Sequence, residues 1–190
     1  TLLYKEGNFF LSRNFRLQKV GGIDWLIKNY NFEKIATSID ELIILNCSSK
    51  DFSLMKFIED VSNVIRNCFL PVSLGGGIRD INSAAILFRN GADKIVLNSS
   101  VFLNPELIEK IAGIYGSQSI IASVDFKEIN NDYFVFIENG QRKIDKNLNF
   151  YFQYLEKLQI GEVLLNSIDK DGTGQGLLID SLNIVHESFS

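Results

Sequence analysis

Val124-Asp125-Phe126-Lys127-Glu128 echoes Leu3-Tyr4-Lys5-Glu6 half a chain earlier, and Gly161-Glu162-Val163-Leu164-Leu165 echoes Asp40-Glu41-Leu42-Ile43-Ile44 at nearly the same offset. Both echoes fall on short apolar runs of strand character, so the chain is built from two related halves. Strands that alternate with helices in two such halves predict an α/β fold, the (β/α)8 TIM barrel of two fourfold halves.

Working outward, strand candidates are Leu2–Tyr4, Leu42–Leu45, Leu70–Leu74, Lys94–Leu97, Ser119–Val124 and Val163–Leu165. Between the second and third, Leu54, Phe57, Ile58, Val61, Ile65 and Cys68 recur at helical spacing, and Lys56, Glu59, Asp60 and Arg66 form the polar face. Asp80 reads as an N-cap and Gly91 as a helix stop, while Asn104-Pro105-Glu106 reads as a cap followed by proline at the first helical position. Tyr133–Ile137, Asn139-Gly140 and Gln141–Ile144 read as a hairpin with a two-residue turn, inserted at about 129–144. No linker divides the chain, so residues 1–190 are expected to form one domain. Only six strand–helix units fit. The second half stops after its second unit at Ser190, and the last two units are expected in a longer chain or from a partner.

The 190 residues are 46% hydrophobic and 22% charged, which supports a packed core and excludes disorder. A net charge of -4 with acids and bases interspersed offers no footprint for nucleic acid or an anionic membrane. No apolar run reaches spanning length and no leader is evident, so the chain reads as cytoplasmic. Cys47 and Cys68 lack CxxC spacing and sit at apolar positions, which predicts reduced, packed thiols. His186 is the one histidine and reads as a helix-face residue. A multi-histidine metal site is therefore excluded, and no metal or cofactor is expected.

The remaining chemistry rests on carboxylates, amides and backbone groups. Gly75-Gly76-Gly77 follows an apolar strand and leads into a helix, where Gly76 and Gly77 can offer N–H groups to a phosphate; a tight turn is the alternative. Asn98 and Ser99 end the next strand on the same side and would add amide and hydroxyl donors. Asp125 lies at the carboxyl end of the fifth strand, where barrels place catalytic groups. Asn166, Asp171, Gly172 and Thr173 follow the sixth strand as further substrate-binding candidates, against the alternative of an Asx-bonded turn. Glu41, Lys94 and Glu162 stand at the amino ends of strands, where opposite charges pair in a ring, with Asp93 at its rim.

Leu70-Pro71-Val72-Ser73-Leu74-Gly75-Gly76-Gly77-Ile78-Arg79, Gly91-Ala92-Asp93-Lys94, Asn104-Pro105-Glu106-Leu107-Ile108, Gly116-Ser117-Gln118 and Asp169-Lys170-Asp171-Gly172-Thr173 together resemble the cyclase subunit of imidazole glycerol phosphate synthase, colinearly over essentially the whole chain. The resemblance implies a (β/α)8 barrel that forms a heterodimer with a glutaminase at its amino face. It would react the ammonia with a two-phosphate substrate at its carboxyl face. In that family two aspartates act as general acid and base, and Asp125 matches the second. Glu41, Lys94 and Glu162 match three of the family's four ammonia-gate residues.

The sequence departs from the family at the first acid, where Leu3 stands, and the internal repeat aligns the same Leu3 with Asp125. The family's loop lysine falls near Leu11, and its strand-two aspartate is Asn46. Loss of a general acid or base costs roughly 10²–10⁴ in rate. A kept gate with a lost acid resembles the paralogues that amidate surface-glycan sugars. Three readings stay open: an ammonia-using synthase subunit, for a glycan sugar or for histidine; a non-catalytic scaffold that activates a glutaminase; and an unrelated phosphate-binding barrel.

Overall fold

In the computed structural model, residues 1–35, 37–49, 51–67 and 70–188 are described, with all their side chains except those of Glu33, Asn67 and residues 185–188. Cys68 lies outside the described residues, as does the side chain of His186. The backbone groups into two compact units, Thr1–Leu11 with Leu17–Val96, and Ser12–Arg16 with Leu97–Ser190.

The first unit holds β1 (Leu2–Lys5), β2 (Asn8–Arg13), β3 (Arg16–Gly22), α1 (Ile23–Asn29), α2 (Phe32–Ile35), β4 (Leu42–Asn46), α3 (Leu54–Asn67), β5 (Val72–Gly75), α4 (Ile81–Arg89) and β6 (Lys94–Leu97), except that the Ser12–Arg16 tip of β2 and β3 and the last residue of β6, Leu97, group with the second. β1 pairs parallel with β4, β4 with β5 and β5 with β6. Each later strand follows a helical crossover, so this unit is a run of β/α units. Pro71 has no N–H to give a ladder, and the third strand begins at Val72 rather than at the expected Leu70. Phe57, Ile58, Val61 and Val64 form the buried stripe of α3. Asp60, expected on the solvated face, instead takes a hydrogen bond from the buried Tyr4 hydroxyl at 2.5 Å and pairs with Lys56 at 2.8 Å. Asp80 caps α4 by accepting from the Ser83 N–H, and Gly91 ends the turn after it at φ +98°.

The second unit holds α5 (Ser99–Leu103), α6 (Pro105–Tyr115), β7 (Ile120–Ile129), β8 (Asp132–Ile137), β9 (Arg142–Asn147), α7 (Leu148–Lys157), β10 (Glu162–Ser167) and α8 (Ile179–Ser188). β10 pairs parallel with β7 across α7, a fifth and sixth β/α unit of the barrel pattern. Asn104 precedes α6 as expected, with Pro105 at the first turn, but its side chain makes no capping bond. The insertion is a three-stranded meander, because β7 runs on to Ile129 and turns at Asn130-Asn131 into β8. Its second connection is a four-residue loop, Glu138–Gln141, rather than the expected two-residue turn. Glu138 adopts left-handed φ together with Asn139 and Gly140, and its N–H is given to Ser99 Oγ at 2.9 Å instead of to the ladder.

The half-repeat is visible in the pairing. Leu3 lies opposite Leu45 on the parallel side and Phe10 on the antiparallel side; Asp125 lies opposite Asn166 and Phe136 in the same pattern. A meander absent from the sequence reading, β1–β2–β3, thus repeats β7–β8–β9. Its tip turns on Asn14-Phe15, both left-handed, a conformation a phenylalanine adopts only when its surroundings enforce it.

Candidate active site

Asp125 sits on β7, whose residues Ile120–Phe126 are all buried, and the residue is 6% exposed. Asn98 Nδ2 donates to it at 3.0 Å and Asn166 Nδ2 at 3.4 Å, from the ends of β6 and β10. Asn98 gives a second hydrogen bond to the Ser123 carbonyl at 2.9 Å, which fixes the amide plane. Ser99 Oγ donates to Asn98 Oδ1 at 3.2 Å.

Burial dominates the electrostatics of this carboxyl and pushes it up to about 7. The Asn166 and Asn98 amides pull in the opposite direction, and the negative charge of Asp171 adds a further upward push. An acid poised near neutrality can both take and give a proton at working pH, which a surface aspartate cannot. Tyr151, buried on α7, has its phenol pushed up by burial and then by the charges of Tyr154 and Asp125. Ser167, next to Asn166, carries a buried hydroxyl without a hydrogen-bond partner. Neither Tyr151 nor Ser167 stood out in the sequence, where a helix-face aromatic and a strand serine have no motif to announce them.

Asp171, Gly172 and Thr173 lie elsewhere in the same unit. The Asp171 carboxylate accepts from Ser12 Oγ at 2.5 Å and from the Phe15 N–H at 3.0 Å. A Cβ at Gly172 would meet the Ser12 carbonyl at 2.0 Å, so glycine is required by that close approach. Thr173 Oγ1 donates to the Lys170 carbonyl at 2.8 Å in a local turn. This loop therefore acts as a clamp on the Ser12–Phe15 tip and accounts for the strained Asn14-Phe15 turn. Asp169 extends the clamp by accepting from the Glu128 N–H at 3.1 Å.

In the first unit, Gly76 is at φ +100° and a Cβ there would fall 2.0 Å from the Asn46 carbonyl, whereas Gly77 at φ +72° faces open space. The two adjacent glycines thus differ in kind: packing demands Gly76, and an open backbone face distinguishes Gly77. Glu41 and Lys94 form an ion pair at 3.1 Å with both side chains 22% exposed, and the buried Ser73 hydroxyl donates to Glu41. Asp93 accepts from the Val72 N–H at 2.8 Å, holding the amino end of β5. Glu162 begins β10 in the second unit and is exposed. Among the described residues, no group of three or more His, Cys, Asp and Glu could hold a metal ion, and no helix is long and apolar enough to cross a membrane. Cys47 is half-buried, with its Sγ 3.8 Å from the Leu45 carbonyl oxygen.

A family model described as histidine biosynthesis protein matches residues 23–190. A protein of Parasynechococcus marenigrum named as imidazole glycerol phosphate synthase subunit hisF2 is 45% identical over the whole of this chain and 70% of its own length. Proteins named imidazole glycerol phosphate synthase subunit HisF in Chlorobium phaeovibrioides and Campylobacter concisus are each 34% identical. They align over 97% and 95% of this chain, and over 72% and 70% of their own lengths.

Proposed function

The chain belongs to the histidine biosynthesis protein family, as a relative of the cyclase subunit of imidazole glycerol phosphate synthase, and from that premise we propose that it is an ammonia-using synthase subunit specialised away from histidine. Its substrate in this reading is a surface-glycan sugar bearing an acetamido group, and its ammonia comes from a glutaminase subunit with which it forms a heterodimer. Asp125 is the proton-transfer residue. Gly76, Gly77, Asn98, Ser99, Asn166, Asp171, Gly172 and Thr173 bind or frame the substrate, and Glu41, Lys94, Glu162 and Asp93 form the ammonia entrance.

One observation carries the reading. Leu3 occupies in β1 the register position that Asp125 occupies in β7, opposite Leu45 and Phe10 as Asp125 is opposite Asn166 and Phe136. A leucine can neither accept nor donate a proton, so a reaction that needs acids from both halves loses one of them. Amidation asks less of the protein. Ammonia adds to an acetamido carbon whose oxygen has first been esterified by a phosphoryl donor, so the C–N bond forms as the C–O bond breaks and phosphate leaves, and one buried carboxyl suffices to take the proton the nitrogen gives up and pass it to the departing oxygen. The hisF2 name of the Parasynechococcus marenigrum relative fits a second copy beside a histidine enzyme.

The test is turnover of the protein with its glutaminase on the histidine precursor, followed as ammonia-dependent release of the two cyclase products. Wild type is expected to show little or none. Leu3→Asp should raise turnover in part, because the family's loop lysine is also replaced near Leu11 and effects within a catalytic unit do not add. Robust wild-type turnover would overturn the specialisation and restore the histidine enzyme.

A further inference from the structure

We propose that one face of the β7–β8–β9 meander is an anion subsite, where Lys127 and Lys143 hold the phosphate of a ligand whose reacting end lies at Asp125. The proposal rests on the reading of Asp125 as the proton-transfer residue, and it adds a site for which the glycine-rich turn and the loop after β10 are not needed.

Cross-strand partners project to the same side of a sheet, as do residues two apart on one strand. Asp125 is paired with Phe136, Lys127 with Phe134, and Phe136 with Lys143, so these five side chains share one face. The ring contacts agree: Lys127 Nζ stands 5.1 Å from the Phe136 centroid, and Lys143 Nζ 3.6 Å from that of Phe134. The opposite face is dry, with Phe126, Val135, Ile137 and Ile144 all at most 3% exposed. The meander is thus anchored on one side and presents a cationic surface on the other.

The two ammonium groups, like that of Lys146 at 3.9 Å over Phe150, differ from the ion-paired lysines of the chain. Lys56, Lys94 and Lys110 each lie within 4.0 Å of a carboxylate. Lys127 and Lys143 have no such carboxylate among the described residues, and each is held instead over a phenyl ring. A cation–π contact restrains an ammonium without neutralising it, which leaves its charge available to a ligand. Besides Asp125, this face carries Asp145, exposed and two residues along β9 from Lys143, and Asp132 at its far end, whose carboxylate is engaged by the Tyr133 N–H and the Asn147 amide. Lys127 lies over Phe136, the ring directly opposite Asp125 in the pairing. Two residues along a strand separate Lys127 from Asp125 by about 7 Å, and two strand spacings separate Lys143 from it by about 10 Å. That span suits a sugar or sugar-like ligand carrying phosphate at one end. Two adjacent point charges on flexible stems match the diffuse charge of a phosphate or diphosphate.

The experiment is titration of the full chain with inorganic pyrophosphate, read residue by residue from backbone amide chemical shifts. Saturable shifts are expected at Lys127, Phe134, Phe136 and Lys143, with affinity falling at least about tenfold in Lys127→Met/Lys143→Met and persisting in Lys127→Arg/Lys143→Arg. The methionine pair keeps the apolar stems over the rings; if it does not fold, Lys143→Gln alone decides by the same measure. Shifts confined to Gly76, Gly77, Asn98 and Ser99, or unchanged affinity without the lysine charges, would overturn the proposal and leave the two lysines as staples of the meander. Because the readout is binding, its failure is separate from a failure of Asp125 in turnover.

Discussion

Asp125→Asn isolates the energetic consequence of burying this carboxyl. In the native protein the group titrates near 7 instead of its ordinary 3.8, and in the unfolded chain it returns to the ordinary value. Between those two points the native state holds a proton that the unfolded state has lost. Stability therefore falls as pH rises, at up to about 1.4 kcal/mol per pH unit, and levels off above about 7. The full difference is about 4 kcal/mol, present as stability at pH 4 and absent at pH 8. Asparagine carries no charge at any pH and removes this dependence. It also turns one amide group toward the Asn98 or Asn166 donor, which costs about 1 kcal/mol for a lost hydrogen bond. The variant should accordingly be slightly less stable than wild type at pH 4 and more stable by about 2–4 kcal/mol at pH 8. Denaturant unfolding of both proteins at each pH from 4 to 8 measures the crossover. A stability difference that stays constant over that range would refute the buried, neutral-to-charged titration on which the chemistry of Asp125 depends.

Further measurements bear on the other elements. Gly76→Ala should cost about 3 kcal/mol or more, since its Cβ would overlap the Asn46 carbonyl, whereas Gly77→Ala should cost only about 1–2 kcal/mol for its left-handed φ; equal losses in thermal unfolding would remove the distinction. Lys94→Met leaves Glu41 half-buried without its partner and should lower stability by about 1–3 kcal/mol and abolish stimulation of the glutaminase. Undiminished stimulation would detach this pair from the ammonia entrance. Ser12→Ala removes the hydroxyl that Asp171 clamps, and hydrogen exchange at Asn14 and Phe15 should speed up by about tenfold, one lost hydrogen bond's worth; unchanged exchange would show the clamp to be idle.

The echo of Leu3-Tyr4-Lys5-Glu6 in Asp125-Phe126-Lys127-Glu128 was enough to predict paired halves, because strand positions and their register follow a period of two that is written directly in residue order. The Asp80 cap and the helix start at Pro105 were legible for the same reason: the signals of a helix end lie within one turn of it, although the Asn104 side chain makes no capping bond. Asp125 could be singled out from its place at the expected end of a strand, although β7 runs on through it to Ile129. That it is buried, held by Asn98 and Asn166 and raised to about 7 could not, since desolvation depends on what surrounds a group in space. The β1–β2–β3 meander escaped notice because its tip turns on Asn14-Phe15, a pair with weak local turn preference. That turn is held by residues brought from far along the chain: Asp171 accepts from the Ser12 hydroxyl and the Phe15 N–H, and the Ile168 and Asp169 carbonyls accept from the Asn14 amide. Local interactions are recoverable from sequence because their partners are neighbours in it. The burial of Asp125, the drawing of Asp60 onto Tyr4 and the clamp on Phe15 join residues 27 to 159 positions apart, and only the folded chain selects those partners.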